Sequence, residues 1–251
     1  MGPPRREPRS PPPTPGHGTA VMRVTAVIPA RNEEYAIGKV IDALPRPVVG
    51  QVIVVDNGST DNTADVARAA GAMVVADPRP GYGRACAVGV AAAENAEVIL
   101  FLDGDYSDFP EEASSILAPI LEGRADLVIG SRLRGRSEPG ALPPHQLFGN
   151  WLASRLMRLL YGMRITDLGP FRAIRSDLLA SLDMREMTYG WPTEMMVKAA
   201  RRGARIVEVP VSYRTRIGRS KISGTVRGTV LTTYYIFGVT LRYALPWRRH
   251  A

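Results

Sequence analysis

Three aspartates, Asp103, Asp105 and Asp108, fall within six positions of "LFLDGDYSDFPEE" (100–112), directly after an apolar run. Carboxylates this close repel one another unless a cation sits among them or water solvates a turn. Spaced two apart past a strand end, Asp103 and Asp105 can offer oxygens to one divalent cation of octahedral preference, Mg²⁺ or Mn²⁺. That cation would need further oxygens, and a substrate diphosphate supplies them. The competing reading is a solvated turn, with Asp108 capping the helix that begins at Pro110. An EF-hand loop starting at Asp103 fails, because Asp108 and Ser114 stand where glycine and glutamate are required. An aspartyl-phosphate phosphatase also uses Asp-x-Asp after a strand, but such a motif opens its domain, and here three βα units precede it.

Two earlier turns carry polar groups to the same rim. "IPARNEE" (28–34) follows a first strand and "VVDNGSTDNT" (54–63) a second, which brings Arg31, Asn32, Glu33 and Asp56 together. For Asp56 and Asn57, turn chemistry before Gly58 is the plainer alternative. No G-x-G-x-x-G follows the first strand and no G-x-x-x-x-G-K-[ST] occurs, so neither a dinucleotide cofactor nor a P-loop is expected. Acidic groups at a rim with few lysines suit a ribose, a base edge and a metal better than bare phosphate. His17, His145 and His250 are too scattered for a histidine metal cluster.

The elements that position these groups alternate. "VTAVIP" (24–29), "QVIVVD" (51–56), "AMVVAD" (72–77), "EVILFLD" (97–103) and "ADLVIGS" (125–131) read as buried strands, with helical segments between them. Alternation with short connections is the pattern of a doubly wound, mostly parallel α/β sheet, whose ligands bind beyond the carboxyl ends of the strands. After residue 131 a basic Gly/Pro loop, two amphipathic helices, a strand at "ARIVEVPVSYRTR" and an apolar terminal helix are expected. Residues 1–22 read as a disordered proline-rich tail, without the apolar segment of a signal peptide. No run of 18 apolar residues predicts a membrane span.

Among 251 residues, 32 are basic and 24 acidic, a net charge of +8, and only Lys39, Lys198 and Lys221 are lysines. An arginine-rich balance suits a partner bearing phosphate or carboxylate. Nucleic acid is not the expected partner, since no recognised binding module accompanies the charge. The lone Cys86 excludes an internal disulfide framework and fits a reducing, cytoplasmic compartment.

Taken in order, "VIPARNEE", "VVDNGSTDNT", "GYGRACAVG", "FLDGDYSDFPE", "DLVIGSR", "DLGPFRAIR" and "VEVPVSYRTRIGRSKIS" resemble the family 2 glycosyltransferases. More narrowly they resemble the dolichyl- and polyprenyl-phosphate mannosyl- and glucosyltransferases, from about Val24 to Thr225. The resemblance implies a GT-A fold over 23–225 and inverting transfer of a hexose from UDP-glucose or GDP-mannose. It makes Asp103 and Asp105 the D-x-D pair that holds Mg²⁺ or Mn²⁺, with Asp105 the more direct ligand. Pro29, Arg31, Asn32, Glu33 and Asp56 would hold the nucleoside, and Gly83 and Gly104 would line the donor. Arg132 and Lys221 would close over the phosphates, with Arg214 and Arg219 as further candidates; Arg134 and Arg136 read as surface. Asp167 would orient the acceptor or balance the forming sugar cation, against a structural cap as the alternative. Arg172 and Arg175 would meet an acceptor phosphate, and Glu194 matches an acidic family position of open role. "DGDYSD" departs from the commoner Asp-Ala-Asp but keeps both carboxylates.

A lipid-phosphate acceptor would place the protein on the cytoplasmic membrane face. The terminal segment 226–251 has fourteen uncharged residues between Arg227 and Arg242, followed by "PWRRH". It reads equally as a core-packed helix or as an interfacial one. A soluble or saccharide acceptor, or nucleotide-sugar binding without turnover, are the alternatives. The sequence leaves oligomeric state open.

Overall fold

The computed structural model describes residues 22–218 and 226–244. The expectations for the proline-rich tail, for Arg219 and Lys221, and for 246–250 lie outside those residues. Seven strands form one sheet: β1 (Val24–Ala30), β2 (Gln51–Asp56), β3 (Met73–Ala76), β4 (Val98–Phe101), β5 (Leu127–Ser131), β6 (Arg172–Arg175) and β7 (Ile206–Pro210). Their spatial order is β3-β2-β1-β4-β6-β5-β7. The unbroken apolar runs in β1, β2, β4 and β5 are what strands covered on both faces require, and each interior residue of β1 from Val24 to Ile28 is buried.

Helices cover both faces. On one lie α1 (Ile37–Ala43), α2 (Thr63–Ala69) and α4 (Ala113–Leu121), which bury Ile37, Ile41, Ala67, Ile116 and Leu117 against the even-numbered side chains of β1. On the other lie α3 (Tyr82–Ala92), α5 (Pro144–Tyr161), α6 (Ser176–Ser181), α7 (Trp191–Arg201) and α8 (Val226–Arg242). There Cys86, Met157, Leu179, Trp191, Met195 and Val239 pack beneath the sheet. Pro45 and Pro47 follow α1, and Gly71 at φ 84° follows α2, residues that end a helix. At the start of α2, Asn62 makes no side-chain cap bond, while Asp61 Oδ1 accepts from the Thr63 N–H, the first amide of the helix, and from the Thr63 hydroxyl.

One strand departs from the parallel pattern. β6 runs antiparallel between β4 and β5, with Arg172 beside Phe101 and Ile129 and Arg175 beside Val98. The reversal puts the start of β6 at the carboxyl rim of β4 and its end at the opposite edge. β7 then runs parallel to β5, and the chain after Pro210 returns across the rim to reach Asp105.

Candidate active site

The aspartate turn is a strained loop held open by arginines. β4 ends at Phe101, and Leu102 to Asp108 fold back over the rim, with Tyr106 at φ 62°, a left-handed conformation uncommon for a ring-bearing residue. Arg214 fixes that turn. Its Nε donates to the Tyr106 carbonyl at 2.8 Å and its Nη2 to that of Asp108 at 3.1 Å. Its guanidinium lies 3.6 Å from the Tyr106 ring centroid and 3.9 Å from that of Phe109. The expected role of Arg214 at a diphosphate is therefore replaced by another: its donors serve the turn backbone and its faces the two rings.

Arg216, two residues on, reaches the carboxylates. Its Nη1 lies 3.2 Å from Asp105 Oδ2 and its Nη2 2.7 Å from Glu33 Oε1, tying the β4 rim to the β1 loop. The "RTR" spacing did not distinguish the two arginines; Arg216 is a site residue that sequence reasoning missed. The other Asp105 oxygen accepts from the Ser107 N–H at 2.9 Å and hydroxyl at 2.5 Å.

Asp103 and Asp108 are the groups left wanting. Asp103 Oδ1 and Asp108 Oδ1 are buried without a hydrogen-bond partner. Burial, reinforced by Asp105, pushes the Asp103 carboxyl up to about 7, although Arg216, the Tyr82 hydroxyl and Arg132 favour its charge. Burial, reinforced by Asp103 and Asp105, raises Asp108 as well. Asp108 does not cap the next helix: the 3₁₀ turn Pro110–Glu112 has no side-chain cap, and Asp108 is 1% exposed under the Tyr213 segment. Buried carboxylate oxygens without partners are costly unless a cation arrives. An all-oxygen donor set of this kind fits Mg²⁺ or Mn²⁺. Among the described residues no three His, Cys, Asp or Glu side chains form a complete metal cage, so ligand oxygens from outside the chain would share it.

The residues of the two earlier turns meet at the ends of β1 and β2. Asn32, at φ 51°, accepts from the Thr60 N–H at 2.7 Å and donates its own N–H to the Ser59 hydroxyl at 2.9 Å. Asp56 closes its turn by accepting from the Ser59 N–H at 2.9 Å. Arg31 is exposed beside them, and Pro29 is the penultimate residue of β1. Gly104 is buried and has ordinary contact room toward Ala30 and Ile37, whereas Gly83 has none: a Cβ there would lie 2.5 Å from the Glu186 carbonyl. Gly83 thus serves the close crossing of α3 over residues 186–188, where its N–H donates to the Thr188 carbonyl.

Arg132 and Asp167 are brought together. The Arg132 N–H and Nε each donate to Asp167 Oδ2 at 2.8 Å, and Nη2 donates to Oδ1 at 2.8 Å. Burial opposes the Asp167 charge, but the Arg132 guanidinium outweighs it and holds the carboxyl below its usual range. Tyr213 lies against Arg132, 5.0 Å from guanidinium carbon to ring centroid, and burial pushes its phenol up to about 12. The 166–168 turn is fixed from behind, its N–H groups donating to Glu208 at 2.7 and 2.9 Å and to Asn150 at 2.9 Å.

Arg172 and Arg175, expected at the acceptor, and Glu194, of open role, lie elsewhere. Arg172 is 1% exposed and donates to the carbonyls of Pro192, Leu168 and Gly169, so it ties the Asp167 turn to α7 from inside the core. Arg175 sits at the far end of β6, paired with Asp177. Glu194 is fully buried and saturated: Oε2 accepts from the N–H groups of Arg185 and Glu186, and Oε1 from the Tyr243 hydroxyl at 2.6 Å beside Lys198 at 2.7 Å. It joins α7, the 183–188 segment and the end of α8, a structural node with no oxygen left for substrate.

Comparison with known proteins shows the family and the fold. The family model described as glycosyl transferase family 2 matches residues 25–182. An uncharacterized glycosyltransferase of Mycobacterium tuberculosis is 37% identical over 211 residues, 83% of this chain and 93% of that protein. An undecaprenyl-phosphate mannosyltransferase of Micrococcus luteus is 31% identical over 239 residues, 88% of this chain and 96% of its own length. Among solved structures, glucosyl-3-phosphoglycerate synthase of M. tuberculosis, in complex with Mn²⁺, UDP-glucose and phosphoglyceric acid, superposes with a TM-score of 0.71 at 26% identity, covering 90% of this chain and 81% of that one.

Proposed function

Since this chain belongs to glycosyl transferase family 2, we propose that it is an inverting, divalent-metal-dependent enzyme of GT-A fold that moves a hexose from a nucleotide-diphosphate sugar to a polyprenyl phosphate. The observation that carries the reading is the pair of rim carboxylates, Asp103 and Asp105, with Asp103 Oδ1 buried and unpartnered. In this reading Asp105 and Asp103 hold Mg²⁺ or Mn²⁺, which when bound stabilises the charge developing on the leaving diphosphate. The turns at Arg31–Glu33 and Asp56 hold the nucleoside. Arg216 leaves Asp105 for the diphosphate, where a guanidinium can make two parallel hydrogen bonds. The Arg132–Asp167 pair faces the sugar and the acceptor; Asp167, kept ionised by its arginine, balances positive charge on the sugar carbon. An acceptor phosphate is already anionic near pH 7, so the enzyme orients it and needs no strong base. Arg219 and Lys221 would complete the phosphate-side closure.

The lipid acceptor is supported by the full-length similarity to an undecaprenyl-phosphate mannosyltransferase, and with it a position on the cytoplasmic membrane face. A small phosphorylated acid is the second reading, supported by the likeness to a synthase solved with phosphoglyceric acid. One assay separates them. The purified protein is incubated with Mg²⁺ or Mn²⁺, labelled UDP-glucose or GDP-mannose, and either polyprenyl phosphate or 3-phosphoglycerate. Metal-dependent label in the organic phase, lost in Asp105→Asn, is the expected result. Label only in the aqueous acceptor would move the acceptor to the small acid, and binding of donors without turnover would leave a non-catalytic protein.

A further inference from the structure

Helix α5 carries apolar side chains on two sides. Inward, Ala153, Ser154 and Met157 are buried, while Phe148, Trp151, Leu152 and Leu159 stand outward at spacings of three, four and seven. Phe148 is 63%, Trp151 50% and Leu159 81% exposed, and the Phe148 and Trp151 rings stack on each other at 5.9 Å. Arg155 rises through the same stripe, its guanidinium carbon 5.7 Å from the Trp151 ring centroid, and Arg158 is exposed beside it. α8 packs against α5, with the Tyr161 hydroxyl donating to the Thr240 carbonyl, and adds exposed Tyr234 and Leu241. A globular helix normally buries such a stripe, and contiguous exposed apolar surface marks an interaction site.

Charge identifies the occupant. The described stretches that form this face, 139–166 and 234–244, contain no acidic residue, and their exposed Arg155, Arg158, Arg164 and Arg242 are all basic. A second copy of this chain, docked about a two-fold axis, would set the same basic surface against itself. An anionic bilayer offers what the surface lacks: phosphate headgroups for the arginines and an apolar boundary at the depth where Trp and Tyr rings settle.

We infer that α5, flanked by the end of α8, is the surface by which this protein docks on anionic lipid membranes. The placement has a consequence for the site. Asn150, on the inward side of α5, donates to the Thr166 carbonyl at 2.8 Å and accepts from the Leu168 N–H at 2.9 Å, so the helix that meets lipid also carries the Asp167 turn. Docking would set the Arg132–Asp167 end of the crevice at headgroup level. The inference rests on the lipid-phosphate reading for its use, but the two fail separately.

The test is co-sedimentation of the full chain with vesicles of phosphatidylcholine plus phosphatidylglycerol, against phosphatidylcholine alone. Wild type should partition to the anionic vesicles, less at high salt, with a blue shift of tryptophan emission. The triple variant Phe148→Ser, Trp151→Ser, Leu159→Ser should partition about tenfold or more weakly, while its transfer to detergent-dispersed acceptor is retained. Arg158→Glu with Arg164→Glu should weaken partitioning by the charge route, with the apolar stripe and the Arg155–Trp151 contact kept. Equal partitioning of wild type and both variants, or no partitioning of wild type, would overturn the inference. So would a wild-type dimer in sedimentation equilibrium that the triple variant makes monomeric without any vesicle binding. Normal docking lost in the variants, with no labelled lipid from any donor, would keep this inference and remove the lipid acceptor.

Discussion

Two buried carboxylate clusters stand in the same molecule and behave oppositely. At the β4 rim, Asp103 and Asp108 each keep an oxygen without a partner, and three acids share a turn with one reaching arginine. Beneath the sheet, Glu194 has both oxygens occupied by two backbone N–H groups, a lysine and a tyrosine. A buried charge that the protein has satisfied has a structural task; one it has left unsatisfied awaits something from outside. The contrast separates residues that looked alike in sequence, since Glu194 and Asp105 are both acids at positions that match the family pattern.

The comparison breaks most sharply at Glu194. Glu194→Ala strands Lys198 in the interior, and should destabilise the fold by about 3–5 kcal/mol, read as a lowered urea midpoint. The variant that remains folded should keep its affinity for donor. A Glu194 variant of full stability but lost donor binding would reverse the assignment.

Asp105→Asn should do the opposite. Transfer is expected to fall by about 10³-fold, several kcal/mol of transition-state stabilisation. The urea midpoint should move little, because the Arg216 contact it loses is partly solvated and worth at most about 1 kcal/mol. A large loss of stability with activity intact would place Asp105 in the structural class.

The smallest effect concerns Asp103. Its carboxyl sits at about 7 against an ordinary 3.8, so between those values the folded chain holds a proton that the unfolded chain has lost. The contribution of Asp103 to stability therefore declines as pH rises from about 4 to about 7. In metal-free buffer Asp103→Asn should melt a few degrees above wild type beyond pH 7, with the gap closing toward pH 4. Added Mn²⁺ should raise the wild type and spare the variant. A gap that does not vary with pH would mean that Asp103 is not held in this uncharged poise.

Much of the sheet was legible because its signals are local. Runs such as "QVIVVD" and "EVILFLD" lie on strands buried from both faces, and their turns hold the residues that any such sheet presents at its rim. The antiparallel β6 was not legible: "FRAIR" carries no mark of direction, and only pairing to both β4 and β5 decides it. That direction matters, because it buries Arg172 at the rim and sends Arg175 to the far edge.

The sequence by itself determined the alternation of strand and helix, the place of Asp103 and Asp105 past a strand end, and the family to which they belong. Those follow from hydrophobic period and short-range turn chemistry, which neighbouring residues specify. Tertiary structure decided which charges are free to act. Arg214 and Arg216 differ by two positions, yet one spends its donors on the turn at Tyr106 while the other spans 183 residues to Glu33. Pairing across such distances depends on how the elements pack, and no local pattern of residues encodes it.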